Sequence, residues 1–458
     1  MTDCELTTRS ISMQWQKLLS RSRLSETLNV GDPGRTAFEK DFDKIIFSSY
    51  FRRLKDKTQV FSLVDNDYIR SRLSHSLEAA CVGRTLGTLV GQEIVKRHSY
   101  ELSDYTARDF GDIIAAACLA HDIGNPPFGH AGEDAIQEWF KSANAVAVLS
   151  SLTPQQQADL KYFEGNAQGF RILTKLDRPQ YRQGLQFSCA TLATFTKYPR
   201  EAGINSNSFE QYNIDPNNKS TKKHGFFQDE KETFCQIAAE VGLIQRENNS
   251  AWWCRHPLVF LVEAADDICY HIVDLEDGFW MGYIDYEEAR MWLNDILVGE
   301  KLEQPIGDRK EHIKYLRAKA IHKLITEVKQ VFLDYEHEIL SGEFDTALTS
   351  MIDSADKLSE IIELTRKHVY EACEVVEVKI AGYEVLGGLL EEFVNGVTNN
   401  NLSKSYLTKK LLPNFHPSDE DFYRNILQVT DYISGMTDSY AVSLFRKIKG
   451  ISLPRGGK

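Results

Sequence analysis

The sequence predicts an all-α, mainly helical protein. Long stretches repeat apolar residues at a helical period, and no even procession of short alternating runs suggests a sandwich or barrel. At 458 residues with 42% apolar side chains, the chain can bury a large core, so one large domain or two intimate ones are expected.

In chain order, the segments 69–87, 109–121, 257–278, 312–340 and 422–448 carry the helical period. The stretch 203–225, "GINSNSFEQYNIDPNNKSTKKHG", is rich in Asn and Ser and poor in apolar residues, which predicts a long surface loop. A second polar break, "NGVTNNNLSKS" at 395–405, sets off the last helices without resembling a linker between independent domains. A division follows into a catalytic core with its N-terminal extension over residues 1–290 and a helical C-terminal portion over 291–458.

A formal charge of −13 argues against general polyanion binding, so a phosphate site must be local. Eight cysteines, none in a CxxC pair, suit reduced thiols in a cytoplasmic protein better than a disulfide scaffold or zinc ribbon. "MTDCELTTRS" has no signal-peptide pattern, and no apolar run approaches the roughly 18 residues of a membrane span.

The chemistry concentrates in "AAACLAHDIGNPPFGHAGEDAIQEWF", 115–140. Its apolar run ends at His121, and Gly124 with the two following prolines breaks the helix, so His121 and Asp122 sit at a frayed end where both can turn toward one point. After the break, His130 and Glu133 are three residues apart on a resuming helix. That spacing fits a general acid or base with its carboxylate, and equally a helix-start charge pair. Upstream, Arg72 and His75 share a helical face, where Arg72 offers a fork for phosphate and His75 is a metal ligand or a structural histidine. Downstream, Asp266, Tyr270 and Asp274 follow one another at intervals of four, a polar stripe in an apolar helix that needs an ion, a ligand or hydrogen bonds. Asp267 lies about 100° away and can cap or pair structurally. Two histidines and two aspartates would suit a divalent ion such as Mn, Fe or Zn, with positions left for a water and a phosphoryl oxygen.

These residues form an H…HD…D pattern. With the blocks "FRRLKDKTQVF", "RSRLSHSLE", "HDIGNPPFGHAGE", "FEGNAQGFRIL", "TKYPR", "VEAADDICY" and "DYISGMTDSYA", in that order from about residue 50 to 445, the chain resembles the bacterial deoxyguanosine triphosphate triphosphohydrolases of the HD-domain superfamily. The resemblance implies an HD-domain helical core with a C-terminal helical extension. It implies one divalent ion, Mn²⁺ or Mg²⁺ foremost with Fe, Co, Ni or Zn as alternatives, on His75, His121, Asp122 and Asp266. It places a catalytic dyad on His130 and Glu133, and substrate contacts on Gln59, Arg72, Asn166, Lys197, Tyr270 and Asp274. The implied reaction is attack of water on the α-phosphorus of a dNTP, giving deoxynucleoside and inorganic tripolyphosphate, with dGTP as the inherited preference. Relatives assemble as homo-oligomers, tetramers or hexamers, and some take a second nucleotide as activator. The competing classes are a broader dNTPase or another HD phosphohydrolase, such as a nucleoside monophosphate phosphatase. A nucleotide or single-stranded nucleic-acid binder would use "KSTKKHG" and "RKIKGISLPRGGK", basic runs that otherwise read as solvated surface.

Overall fold

The computed structural model describes residues 12–24, 34–60, 70–176, 184–204, 218–247, 250–301, 307–399, 403–413, 415 and 421–452. The N-terminal stretch read for a signal peptide lies outside the described residues, as do 205–217 of the polar loop, 400–402 of the second break and the basic end 453–458. Among the described residues the fold is helical, with isolated bridges and no strand. No described helix is long and apolar enough to cross a membrane.

The helices that matter for the site are α1 (Ala37–Ile46), α2 (Arg72–Arg97), α3 (Ala107–Ala120), α4 (His130–Lys141), α5 (Gly165–Arg171), α6 (Cys189–Phe195), α7 (Val259–Trp280), α8 (Arg309–Asp334), α9 (Cys373–Thr398), α10 (Phe422–Ser434) and α11 (Asp438–Ile448). Two segments expected as single helices are interrupted. The 312–340 stretch ends α8 at Tyr335, which caps it and opens the short helix Glu336–Ser341. The 422–448 stretch stops at Gly435 and restarts where the Thr437 hydroxyl accepts the Tyr440 N–H. An apolar period continues through a break of this size, so it does not mark the cap.

Two apolar clusters organise the chain. The larger is centred on α2, α3 and α7, with α1, α6 and α8 around them. Every residue of α3 from Phe110 to Ala120 is buried, which explains its nearly unbroken apolar sequence. The second cluster joins Ile136 and Phe140 of α4 to Leu386, Leu389 and Phe393 of α9 and Ile426 and Ile433 of α10. The turn 121–129 therefore passes from one core to the other.

Buried ions tie the C-terminal helices to the rest. Arg171, at the end of α5, donates from Nε and Nη2 to the Asp431 carboxylate (2.8 and 2.9 Å) and from Nη1 to Asp229 and Glu230 (2.7 and 2.6 Å). Each partner answers a charge that would be costly to bury alone.

Candidate metal centre and adjoining cavities

Helix α3 ends at Ala120, so His121 occupies its C-cap and its ring Nδ1 donates to the Cys118 carbonyl at 2.6 Å. That bond leaves the Nε2 lone pair facing away from the helix. It lies 3.4 Å from Asp266 Oδ1 and 3.5 Å from Asp122 Oδ1. His75, one turn into α2, is buried with Nε2 3.0 Å from Asp266 Oδ1. One donor atom each from His75, His121 and Asp266 falls within a 4.8 Å cluster. The nitrogen and oxygen donor set fits a divalent ion.

Asp122 lies at the edge of this group. Its Oδ2 accepts from Arg72 Nη1 at 2.5 Å and its Oδ1 from Asn125 Nδ2 at 2.5 Å. Asp267 turns away and accepts the Thr349 hydroxyl at 2.7 Å. Electrostatics follow this layout. Burial opposes a charge on His121, but the Asp122 and Asp266 carboxylates outweigh it and raise the imidazole to about 9. Burial also opposes the Asp122 charge, yet Arg72 and the histidines hold its carboxyl down at about 2. Asp266 is drawn well below the ordinary carboxylate range by His121 and His75, again against burial. Two carboxylates set against the imidazole nitrogens make an electronegative pocket that favours a cation.

Beside it open two cavities, and His130 lines both. The smaller, about 250 Å³, is walled by Gln59, Arg72, Phe128, Tyr270 and Tyr370. Arg72 Nε and Gln59 Oε1 are buried there without a hydrogen-bond partner, as expected of groups that await a polar ligand. The larger, about 600 Å³, is walled by Glu133, Glu164, Arg200, Lys223 and His224.

His130 and Glu133 share the first turn of α4 but make no direct hydrogen bond. Glu133, 4% exposed, accepts the Gly165 N–H at 2.7 Å, with Lys223 Nζ at 3.5 Å. The His130 ring borders both cavities, and its pKa is lowered first by burial and then by the Lys223 and Arg72 charges, which favours neutral imidazole at pH 7.

The remaining expected contacts scatter. Asp274 is fully buried, accepting from Arg70 Nη2 and from the Tyr370 hydroxyl. Burial lifts its carboxyl to about 6 despite Arg70. Tyr270 stacks on Tyr370 with ring centroids 5.7 Å apart and 9° between planes. Lys197 pairs with Glu263 at 3.2 Å and does not line either cavity. Asn166 Nδ2 donates to Glu164 Oε1 at 2.7 Å.

The basic run 219–225 corrects its sequence reading as solvated surface. Ser220, Thr221 and His224 are buried, and Lys223 reaches into the larger cavity to donate to Glu164 Oε1 at 2.9 Å. Arg200 anchors the segment by donating to the Thr221 and Lys223 carbonyls at 2.6 and 2.7 Å. Lys223, Glu164, Arg70 and Tyr370 are the site residues that motif spacing missed. Each is far along the chain from its partner and carries no period of its own.

Comparison with known proteins identifies the family. Residues 72–157 match the HD domain and residues 351–447 the phosphohydrolase-associated domain. A deoxyguanosinetriphosphate triphosphohydrolase-like protein of Synechocystis sp. is 52% identical over 96% of this chain and 100% of its own. One from Pseudomonas aeruginosa is 39% identical over 96% and 100%. The deoxyguanosinetriphosphate triphosphohydrolase of Yersinia enterocolitica is 31% identical over 90% of this chain and 93% of its own. Identity at this level over nearly the whole length, with the HD match lying on the helices that carry His75 and His121, establishes that the chain belongs to the deoxyguanosinetriphosphate triphosphohydrolase-like family of HD-domain proteins.

Proposed function

We propose that the protein is a metal-dependent dNTP triphosphohydrolase, with dGTP the foremost substrate, that releases deoxynucleoside and inorganic tripolyphosphate. The observation that carries this reading is the closeness of the His75, His121 and Asp266 donors beside a histidine, His130, that borders two cavities. His75, His121 and Asp266, with Asp122 beside them, would hold a divalent ion, which when bound would supply Lewis acidity toward a phosphate oxygen.

The chain's own groups have distinct tasks. The smaller cavity would seat the deoxynucleoside, where Gln59 can exchange hydrogen bonds with a sugar hydroxyl and the Tyr270 ring leaves little room for a ribose 2′ oxygen. Arg72 and Lys223 supply charged donors for phosphate oxygens on either side of His130. Lys197 and Asn166 would join them only after leaving Glu263 and Glu164. Water oxygen bonds to the α-phosphorus as the bond from phosphorus to the 5′ oxygen breaks, and that oxygen leaves with a proton. Neutral His130 can accept the proton that the attacking water loses, and the imidazolium so formed can pass it to the leaving oxygen. Glu133 fixes α4 against the Gly165 N–H rather than the imidazole directly.

The test is chromatography of products after incubation with each dNTP and with GTP, with Mn²⁺ or Mg²⁺ and then with chelator. Tripolyphosphate formed only from deoxynucleotides and only with metal supports the reading. Terminal phosphate or pyrophosphate as product would overturn it. The dGTP preference, a homo-oligomeric assembly and a nucleotide activator rest on the family resemblance.

A further inference from the structure

We propose that Asp438, in the phosphohydrolase-associated part of the chain, is a positioning residue that holds His130 and the Gln59 wall in register. The inference rests on the function proposed above but concerns a residue with no part in the metal centre or the cavities.

Asp438 is the first residue of α11 and is 2% exposed. A carboxylate at a helix start usually serves that helix's own first-turn N–H groups. Here the Thr437 hydroxyl takes that task, and Asp438 reaches outward. Its Oδ1 accepts the Phe128 N–H at 3.0 Å. Its Oδ2 accepts the Thr58 N–H at 3.0 Å and also the Thr58 hydroxyl. One side chain thus binds the residue two before His130 and the residue next to Gln59.

The Phe128 backbone needs such a hold. It has φ +64°, a left-handed conformation that is strained for a non-glycine residue and persists only where surroundings enforce it. Gly129 follows at φ +60°, and a Cβ there would lie 2.4 Å from Arg72 Nη2, so this turn also makes room for the guanidinium that grips Asp122. His130 begins α4 directly after these two residues. Lys57 adds a second tie between the same three segments, its Nζ donating to the Asn125 and Ser434 carbonyls at 2.5 and 2.8 Å. Charge-assisted bonds to buried N–H groups are strong enough to offset the strain of one such residue.

A plain structural staple would look similar, and the Arg171–Asp431 contact provides the control, since it joins α10 to α5 and makes no bond to Thr58 or Phe128. The experiment compares wild type, Asp438→Asn, Asp438→Glu and Asp431→Asn as full chains. It measures metal content, thermal unfolding, dGTP hydrolysis well below the unfolding temperature, and amide exchange of the peptides carrying Thr58 and Phe128. The expected result for Asp438→Asn is retained metal, faster exchange at both amides and a fall in kcat of about 10²-fold, the scale of a misplaced catalytic group. Asp438→Glu, which keeps the charge on a longer arm, should show a smaller loss of the same kind and covers the case in which the Asn variant does not fold. Asp431→Asn should unfold at lower temperature with unchanged kcat and exchange. Wild-type kcat in a folded, metal-loaded Asp438 variant, or an equal loss in Asp431→Asn, would overturn the proposal. Should wild type hydrolyse no dNTP, the functional reading fails, while the exchange data still decide whether Asp438 holds the turn.

Discussion

The metal half of the site and the histidine half rest on different cores. His75, His121 and Asp266 project from α2, α3 and α7, which pack together in the larger apolar cluster. His130 and Glu133 begin α4, whose apolar face packs with α9 and α10 in the second cluster. In the first half, donors on mutually packed helices converge with short-range help, such as the Cys118 carbonyl that orients His121. In the second, position depends on a strained turn and on residues hundreds of positions away. On the proposed function, the ion-holding half and the proton-transferring half should therefore respond separately to substitution.

The largest effect should come from the first half. Asp266→Ala removes the oxygen nearest both imidazoles, so bound metal should disappear and turnover fall about 10³-fold or more, since Lewis-acid assistance is worth several kcal/mol. Elemental analysis alongside initial rates checks both. His130→Ala should lose about 10²–10⁴-fold in kcat while keeping the metal. Loss of metal from that variant would show the two halves to be one unit and end the comparison.

The sequence made the first half more legible than the second. An HD pair at the end of an apolar helix, and aspartates within another, are local patterns, and the helical class follows from periodicity alone. That Asp266 rather than Asp267 faces the histidines is a matter of helical phase, which a family block can suggest and the Thr349 hydroxyl on Asp267 explains. What lay hidden was long range. Lys223 sits in a polar run whose composition says loop, yet Arg200 and two buried carboxylates draw it inward. Gly124 gave a helix break in sequence. In the fold it is also a backbone crossing, where a Cβ would come within 2.1 Å of the Gly165 carbonyl. The Tyr370–Asp274 contact links residues 96 positions apart and has no sequence signature.

A third prediction sharpens the contrast on the wall shared by the two halves. Burial raises the Asp274 carboxyl from 3.8 to about 6. The folded state then keeps a proton that the unfolded chain releases, so this group's contribution is fully present below about pH 3.8 and is lost as pH rises through about 6. Asp274→Asn lacks that dependence. Its stability relative to wild type should rise with pH across this window by about 3 kcal/mol and stay level above it, on top of a constant loss from Arg70. Denaturant unfolding of both proteins from pH 4 to 7.5 measures the difference, and parallel curves would show that Arg70 keeps the carboxylate ionised.

The smallest effect tests where the metal half ends. Thr349→Val deletes the hydroxyl that Asp267 accepts while keeping the side chain's shape. The lost bond should cost on the order of 1 kcal/mol, appearing as a lower unfolding temperature. Burial and the Glu263 charge already push the Asp267 carboxyl up, which favours uptake of a proton over a swing toward the histidines. Metal content and kcat should stay at wild-type values. A change in either would mean that Asp267 is coupled to the ion through its neighbour, and that the metal half extends along α7 beyond the face that Asp266 presents.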